Sequence, residues 1–160
     1  MSQSSHLPLY NSAFFLLKEF YKRVPRFPKQ YKYFLGGKMT ESLVEIIKLI
    51  QEANNQKNNY KRVLCIDKIG EKIDELLLYT RIAGELFLFD KSEKKEKKDK
   101  EKEKVGVESE ESNKVYLFLS DKIVELSRQN AGWKKYYIPR NPAFSGSEGK
   151  EMPPSALVRA

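Results

Sequence analysis

The chain has 160 residues, of which 40% are hydrophobic and 32% charged, and its net charge is +8. That length fits one domain around one core, and the single cysteine, Cys65, excludes an internal disulfide and suits a reducing compartment. No apolar run nears the roughly 20 residues that span a bilayer, and the first residues lack a signal-peptide core, so the reading is a cytoplasmic protein without a membrane segment.

Residues 1–7 carry no pattern and are expected to be flexible. From Pro8, the apolar residues Tyr10, Ala13, Phe14, Leu17, Phe20, Tyr21 and Val24 recur at three- and four-residue steps, which predicts a helix face that Pro25 ends. Proline is preorganised for the first helical position, so a second helix is expected to open at Pro28 and run over 28–55. Its stripe is Tyr31, Phe34/Leu35, Met39, Leu43, Ile46/Ile47, Ile50 and Ala53. A third helix is predicted from Tyr60 to Phe89, burying Val63, Ile66, Ile69, Ile73, Leu76/Leu77, Ala83 and Phe87.

Residues 91–113 interrupt this periodicity with a lysine- and glutamate-rich run nearly free of apolar side chains. Such a run buries too little surface to offset its ordering entropy, and disorder is expected, the alternative being a charged extension of the third helix. A fourth helix over 114–132 uses Tyr116, Leu119, Ile123, Leu126/Ser127 and Asn130, and is expected to end near Gly132-Trp133. The stretch 136–160 is rich in Pro, Gly and Ser and reads as a flexible tail. The bundle proper is thus expected over 8–135, and the fold class is all-α, an antiparallel four-helix bundle.

Catalytic chemistry has little to stand on. His6 is the only histidine and lies in the flexible N-terminal stretch, so neither histidine acid–base work nor the Glu-x-x-His pairs of a di-metal bundle are expected. Asp67, Glu71 and Asp74/Glu75 read as an exposed acidic stripe beside Lys68 and Lys72. Cys65 has no histidine partner and reads as a buried structural thiol. Gly36-Gly37 lacks the flanking residues of a phosphate loop. A non-enzymatic protein with no cofactor and no metal is expected.

The charge is informative once located. Residues 1–62 hold 11 Lys/Arg against 4 Glu, whereas 91–113 hold 8 Lys against 8 Asp/Glu and add nothing. Within 18–38, Lys18, Lys22, Arg23, Arg26, Lys29, Lys32 and Lys38 face only Glu19, a local excess of +6. Such a cluster neutralises phosphates by counterion release; the alternative is an ordinary solvated basic face. Tyr31, Tyr33 and Phe34 lie among these charges and either stack on bases or, for at least two of them, pack into the core. Two glycines inside a helix cost about 2 kcal/mol relative to alanines. Gly36, Gly37 and, in the third helix, Gly84 therefore point to close packing of a helix or subunit, or to direct contact with a partner.

The stretches "FPK" at 27–29, Lys32, "LGGKM" at 35–39 and "LVEIIKLIQEAN" at 43–54 resemble the accessory variability determinants, the four-helix-bundle accessory proteins of diversity-generating retroelements. "ELLLYTRIAGELFLF" at 75–89 and "GWK" at 132–134 are similar too. The resemblance implies a ring-like homopentamer with a basic surface that binds the element's reverse transcriptase and its RNA or DNA, supporting mutagenic reverse transcription without a catalytic centre. By position, Lys29, Lys32 and Lys38 match the family's basic residues and Gly36 its glycine. The insertion 91–113 and the long tail depart from that pattern, and Gly37 stands where a polar residue is usual. The alternatives are a bundle of the ribosomal RNA intervening-sequence type and a structural scaffold.

Overall fold

The computed structural model describes residues 3–89 and 105–138, and every regular element among them is helical. Helix α1 spans Pro8–Arg23, α2 Gly37–Asn55, α3 Asn59–Glu85 and α4 Val105–Tyr137. Helix α2 packs against α1 and α3, and α4 against α3 and α1, so the four form a helical bundle around one shared core. Fully buried Leu16, Phe20, Met39, Ile46, Ile73 and Ile123 are among the side chains at its centre. Burial of each is worth about 1.5–3 kcal/mol. Among the described residues, no helix is long and apolar enough to cross a membrane.

The buried face of α1 is rotated from the expected one. Leu9, Ala13, Leu16, Leu17 and Phe20 are buried, whereas Phe14 and Tyr21 are exposed. Two overlapping apolar faces exist on this helix, and the one carrying the compact leucines fits between α2 and α4. The larger rings stay at the rim, where Tyr10 stacks on Phe14 at 6.1 Å and the Lys18 ammonium sits 5.5 Å from the Phe14 ring centre. Ahead of α1, residues Gln3–His6 form a 3-10 turn rather than a patternless stretch, and Leu7 packs against the core.

The third helix stops at Glu85, four residues before the expected end. Leu88 N–H donates to Ala83 O and Phe87 N–H to Gly84 O, both at 3.0 Å, which closes the helix in a Schellman motif. Phe87 occupies the left-handed position of that motif with φ 54°. The reversal turns Phe87 out to solvent, correcting its expected burial, and brings Leu88 and Phe89 into the core in its place.

Helix α4 is longer than expected at both ends. Residues 105–113, assigned to the charged insertion, are its first turns, while 90–104 and 139–160 lie outside the described residues. Its C-terminal half runs through Gly132 because Trp133 and Tyr137, one turn apart, cover a small cluster of Ala53, Cys65 and Ile66. Lys134 adds an ion pair to Asp67 at 2.6 Å. These contacts outweigh the roughly 1 kcal/mol that a mid-helix glycine costs. Of the expected α4 face, Leu119, Ile123, Leu126 and Asn130 are buried, Tyr116 is half-buried and Ser127 is exposed. Asn130 Nδ2 donates to Ile66 O at 3.1 Å and so ties α4 to α3.

Candidate functional site

The connection between α1 and α2 gathers most of the residues that the sequence singles out. After α1, Val24–Arg26 make a 3-10 turn, and Phe27 N–H donates to Val24 O at 3.0 Å. Phe27 is buried with its ring edge-on to Phe89, 5.6 Å between centres. Pro28 then caps a single helical turn, Lys29–Tyr31, its carbonyl accepting from Tyr31 and Lys32 N–H at 2.9 and 3.0 Å. Helical structure therefore begins one residue after the expected start, with the proline as cap.

Between this turn and α2 the chain adopts a π-helical segment, Lys32–Gly36, which the sequence did not announce. Wider π hydrogen bonding admits an extra residue to a turn, and such segments recur at functional positions. Gly36 explains why it forms here. It is buried, and a Cβ added to it would lie 2.5 Å from Val24 Cγ1, so only glycine lets the second helical run rest on the end of α1. Thr40 Oγ1 lies 3.1 Å from both Gly36 O and Gly37 O, offering a donor to carbonyls next to the π segment. At Gly37 an added Cβ would meet no neighbouring element within 4 Å, so the close contact expected there has no counterpart among the described residues. Gly84 does pack closely, because its Cβ would lie 2.6 Å from the Tyr116 ring of α4.

The basic residues divide into two sets. Lys22 and Arg23 share Glu19, with Lys22 Nζ 3.1 Å from its carboxylate and Arg23 Nη1 bonded to the other oxygen. Burial pushes the Glu19 carboxyl up, but the Arg23 and Lys22 hydrogen bonds and charges outweigh it and hold the group below its ordinary value. Lys38 pairs with Glu41 at 3.3 Å in an exposed contact. Arg26, Lys29 and Lys32 have no ion pair or hydrogen bond from their side chains among the described residues. Lys22, Arg23 and Arg26, together with Glu19, also rim a cavity of about 230 Å³, floored by Leu88, Phe89 and Val115. Of these cations, Arg26 alone sits beside the apolar floor without an acid partner among the described residues, where screening by water is reduced.

The aromatic residues divide as well. Tyr31 is half-buried against the core, but Tyr33 is 69% and Phe34 81% exposed, which corrects the expectation that at least two of the three rings, Phe34 on the α2 stripe among them, pack inside. The π segment takes up the extra residue and shifts Phe34 off the stripe that Met39 and Leu43 continue. Together with Leu35, Gly37, Lys38, Glu41 and Tyr79, these two rings line an open groove of about 500 Å³. For Tyr33, though not for Phe34, a signal was present in the sequence. At 100° per residue, Tyr33 points away from Tyr31 and Leu35, so the three cannot share one stripe.

The remaining candidates are accounted for within the bundle. Asp67 pairs with Lys134, and Lys72 bridges Glu45 at 2.8 Å and Glu75 at 2.9 Å. Cys65 is buried, and burial followed by the nearby Glu52 pushes its thiol up, away from the thiolate form. His6 is exposed in the 3-10 turn before α1. Among the described residues, no group of three or more His, Cys, Asp or Glu is arranged to hold a metal. Comparison with known protein families, with curated proteins and with solved structures returns no match for this chain.

Proposed function

We propose that this chain is a non-enzymatic accessory protein of a diversity-generating retroelement, which binds RNA or DNA together with a reverse transcriptase through the α1–α2 connection. The observation that carries the reading is the set Arg26, Lys29 and Lys32, cations held without a partner among the described residues in a segment whose local excess is +6. Unpaired cations along one segment repel one another unless an anion neutralises them. A nucleic-acid backbone is the anion that several such charges along one segment suit best, because each phosphate contact releases a counterion. The likeness of "FPK", "LGGKM" and the following helix to the accessory variability determinants adds the partner polymerase. It adds also an antiparallel bundle assembled as a ring-like cytoplasmic homopentamer.

A salt titration of fluorescence anisotropy with labelled RNA and DNA tests the reading. Contact with about five phosphates on a single strand gives a slope of log K against log salt near −3.5. Changing Arg26, Lys29, Lys32 and Lys38 together to Glu is expected to abolish binding, and to Gln to weaken it less. Reversal of Lys97, Lys98, Lys100 and Lys102 provides the control for total charge, and equal loss from both sets would overturn the site. A light-scattering mass of 18.7 kDa, that of one chain, at all concentrations would overturn the assembly. No binding to any nucleic acid at low salt would favour a scaffold.

A further inference from the structure

We propose that Tyr33 and Phe34 form a stacking shelf for the bases of a single-stranded nucleic acid, an inference that rests on the reading above that this connection binds nucleic acid. Single exposed apolar residues are ordinary on a protein surface. Here, however, two adjacent rings are both turned outward by the π segment and share a groove of about 500 Å³ with Leu35 and Tyr79. Beside them, Gly37 presents no side chain, and a Cβ placed there would meet no side chain of a residue beyond its chain neighbours within 4 Å. No side chain at Gly37 therefore stands between a flat base in this groove and the Phe34 ring.

The cations are spaced to suit such a strand. Lys29 lies four residues before Tyr33 and Lys38 four residues after Phe34, one helical turn on either side. Lys32 adjoins Tyr33, and neither it nor Lys29 has a partner among the described residues. Glu41, the acid of the groove, is matched by Lys38. Phosphates can follow the lysines while the bases turn to the rings, the arrangement by which aromatic platforms and basic grooves hold single strands with little sequence preference. A duplex offers no free base face, so it would engage the cations and leave Phe34 idle. A second copy docked face to face would bring two +6 segments together, and their repulsion disfavours it.

Anisotropy with a labelled oligouridine and a blunt duplex of equal length tests the shelf. The double variant Tyr33→Ala/Phe34→Ala is expected to lose about tenfold or more of its oligouridine affinity. Its duplex affinity and its salt slope should stay unchanged, since no phosphate contact is removed. Phe34→Trp should keep or tighten binding, and Phe34→Leu, which retains apolar bulk without a ring, should weaken it. Full oligouridine affinity in the double-alanine or the leucine variant would overturn the shelf, and parallel loss in Lys29→Gln/Lys32→Gln would leave the charge reading standing. Failure of the unmodified chain to bind either probe would overturn both. Preference for duplex, or a fall in light-scattering mass in the double variant that reveals a second copy on this face, would overturn the shelf alone.

Discussion

Two connections in this bundle carry arginine and use it in opposite ways. At the turn between α2 and α3, Arg62 points inward: its Nε donates to Ala53 O at 2.9 Å, one terminal nitrogen to Gln56 O, and the other to Asn59 Oδ1 at 2.9 Å. Its guanidinium also lies 4.5 Å from the centre of the Tyr137 ring, which joins the end of α4 to the turn. Asn58 Oδ1 meanwhile accepts from Lys61 N–H at 3.1 Å as the α3 N-cap. Between α1 and α2, Arg26 is exposed, and the turn is held by Phe27, Gly36 and backbone hydrogen bonds instead. Charge is thus a structural part of one connection and free for a partner at the other.

Stability measurements on matched variants give the largest test of that difference. Arg62→Ala leaves helix-end carbonyls without their charged donor and uncovers Tyr137. It is expected to cost about 2–3 kcal/mol, since hydrogen bonds to charged groups are worth about 1.5–3 kcal/mol each and are not additive. Arg26→Ala should shift stability by no more than about 0.5 kcal/mol. Urea denaturation of both variants checks this, and equal losses would erase the distinction.

The same contrast shows what could be read from the sequence. Four helices and most of their buried positions were legible, because Met39, Leu43, Ile50, Ile69, Ile73, Leu119 and Ile123 keep a helical period that burial enforces. The basic segment was legible too, since charge is a property of composition. Arg62 was not, because its role depends on carbonyls freed where α2 ends and on a tyrosine 75 positions later. The π segment and the outward turn of Phe34 were hidden for a similar reason. They follow from Gly36 meeting Val24, a contact between the end of one helix and the start of the next.

Three glycines sharpen the comparison at the next scale. Gly84→Ala forces a Cβ against the Tyr116 ring, and Gly36→Ala against the β-branched Val24. Overpacking costs about 1–3 kcal/mol and the gain in helix propensity returns about 1 kcal/mol, so a net loss of up to about 2 kcal/mol is expected for each. Gly37→Ala meets no neighbouring element and should gain up to about 1 kcal/mol. Thermal melts of the three proteins decide it. A stabilising Gly36→Ala would show that α1 and the second helical run can separate freely, and would break the explanation of the π segment.

Among the described residues of the third connection, Phe87 is the one with a left-handed backbone. Phe87 holds φ 54° with its side chain 55% exposed, and a left-handed non-glycine residue costs about 1–2 kcal/mol. Phe87→Gly should therefore stabilise the protein by about 1 kcal/mol, less whatever contact the ring retains. A loss of stability would show that the ring packs in solution.

The smallest effect is set by pH, and it separates the two uses of charge again. Glu75 is held below its ordinary value of 4.5 by hydrogen bonds from Lys72 and Tyr79, and Glu19 is held low by Arg23 and Lys22 against the opposing effect of burial. A depressed carboxyl contributes stability that is complete above 4.5 and is lost as pH falls through the lowered value. The loss should be under about 1 kcal/mol for Glu75, because it and Lys72 are both substantially exposed to water. Lys72 is raised by Glu45 and then Glu75, so its contribution persists throughout neutral pH and disappears only in strong alkali. Glu75→Gln and Glu19→Gln should each flatten part of the acid limb of stability against pH. Glu19→Gln should also raise nucleic-acid affinity, by removing the one acid among the cations of 18–38, whereas Glu125→Gln, at an exposed pair with Lys122 on α4, should not. An equal gain from Glu125→Gln would mean that the partner senses the charge of the whole bundle, and the α1–α2 connection would lose its special place.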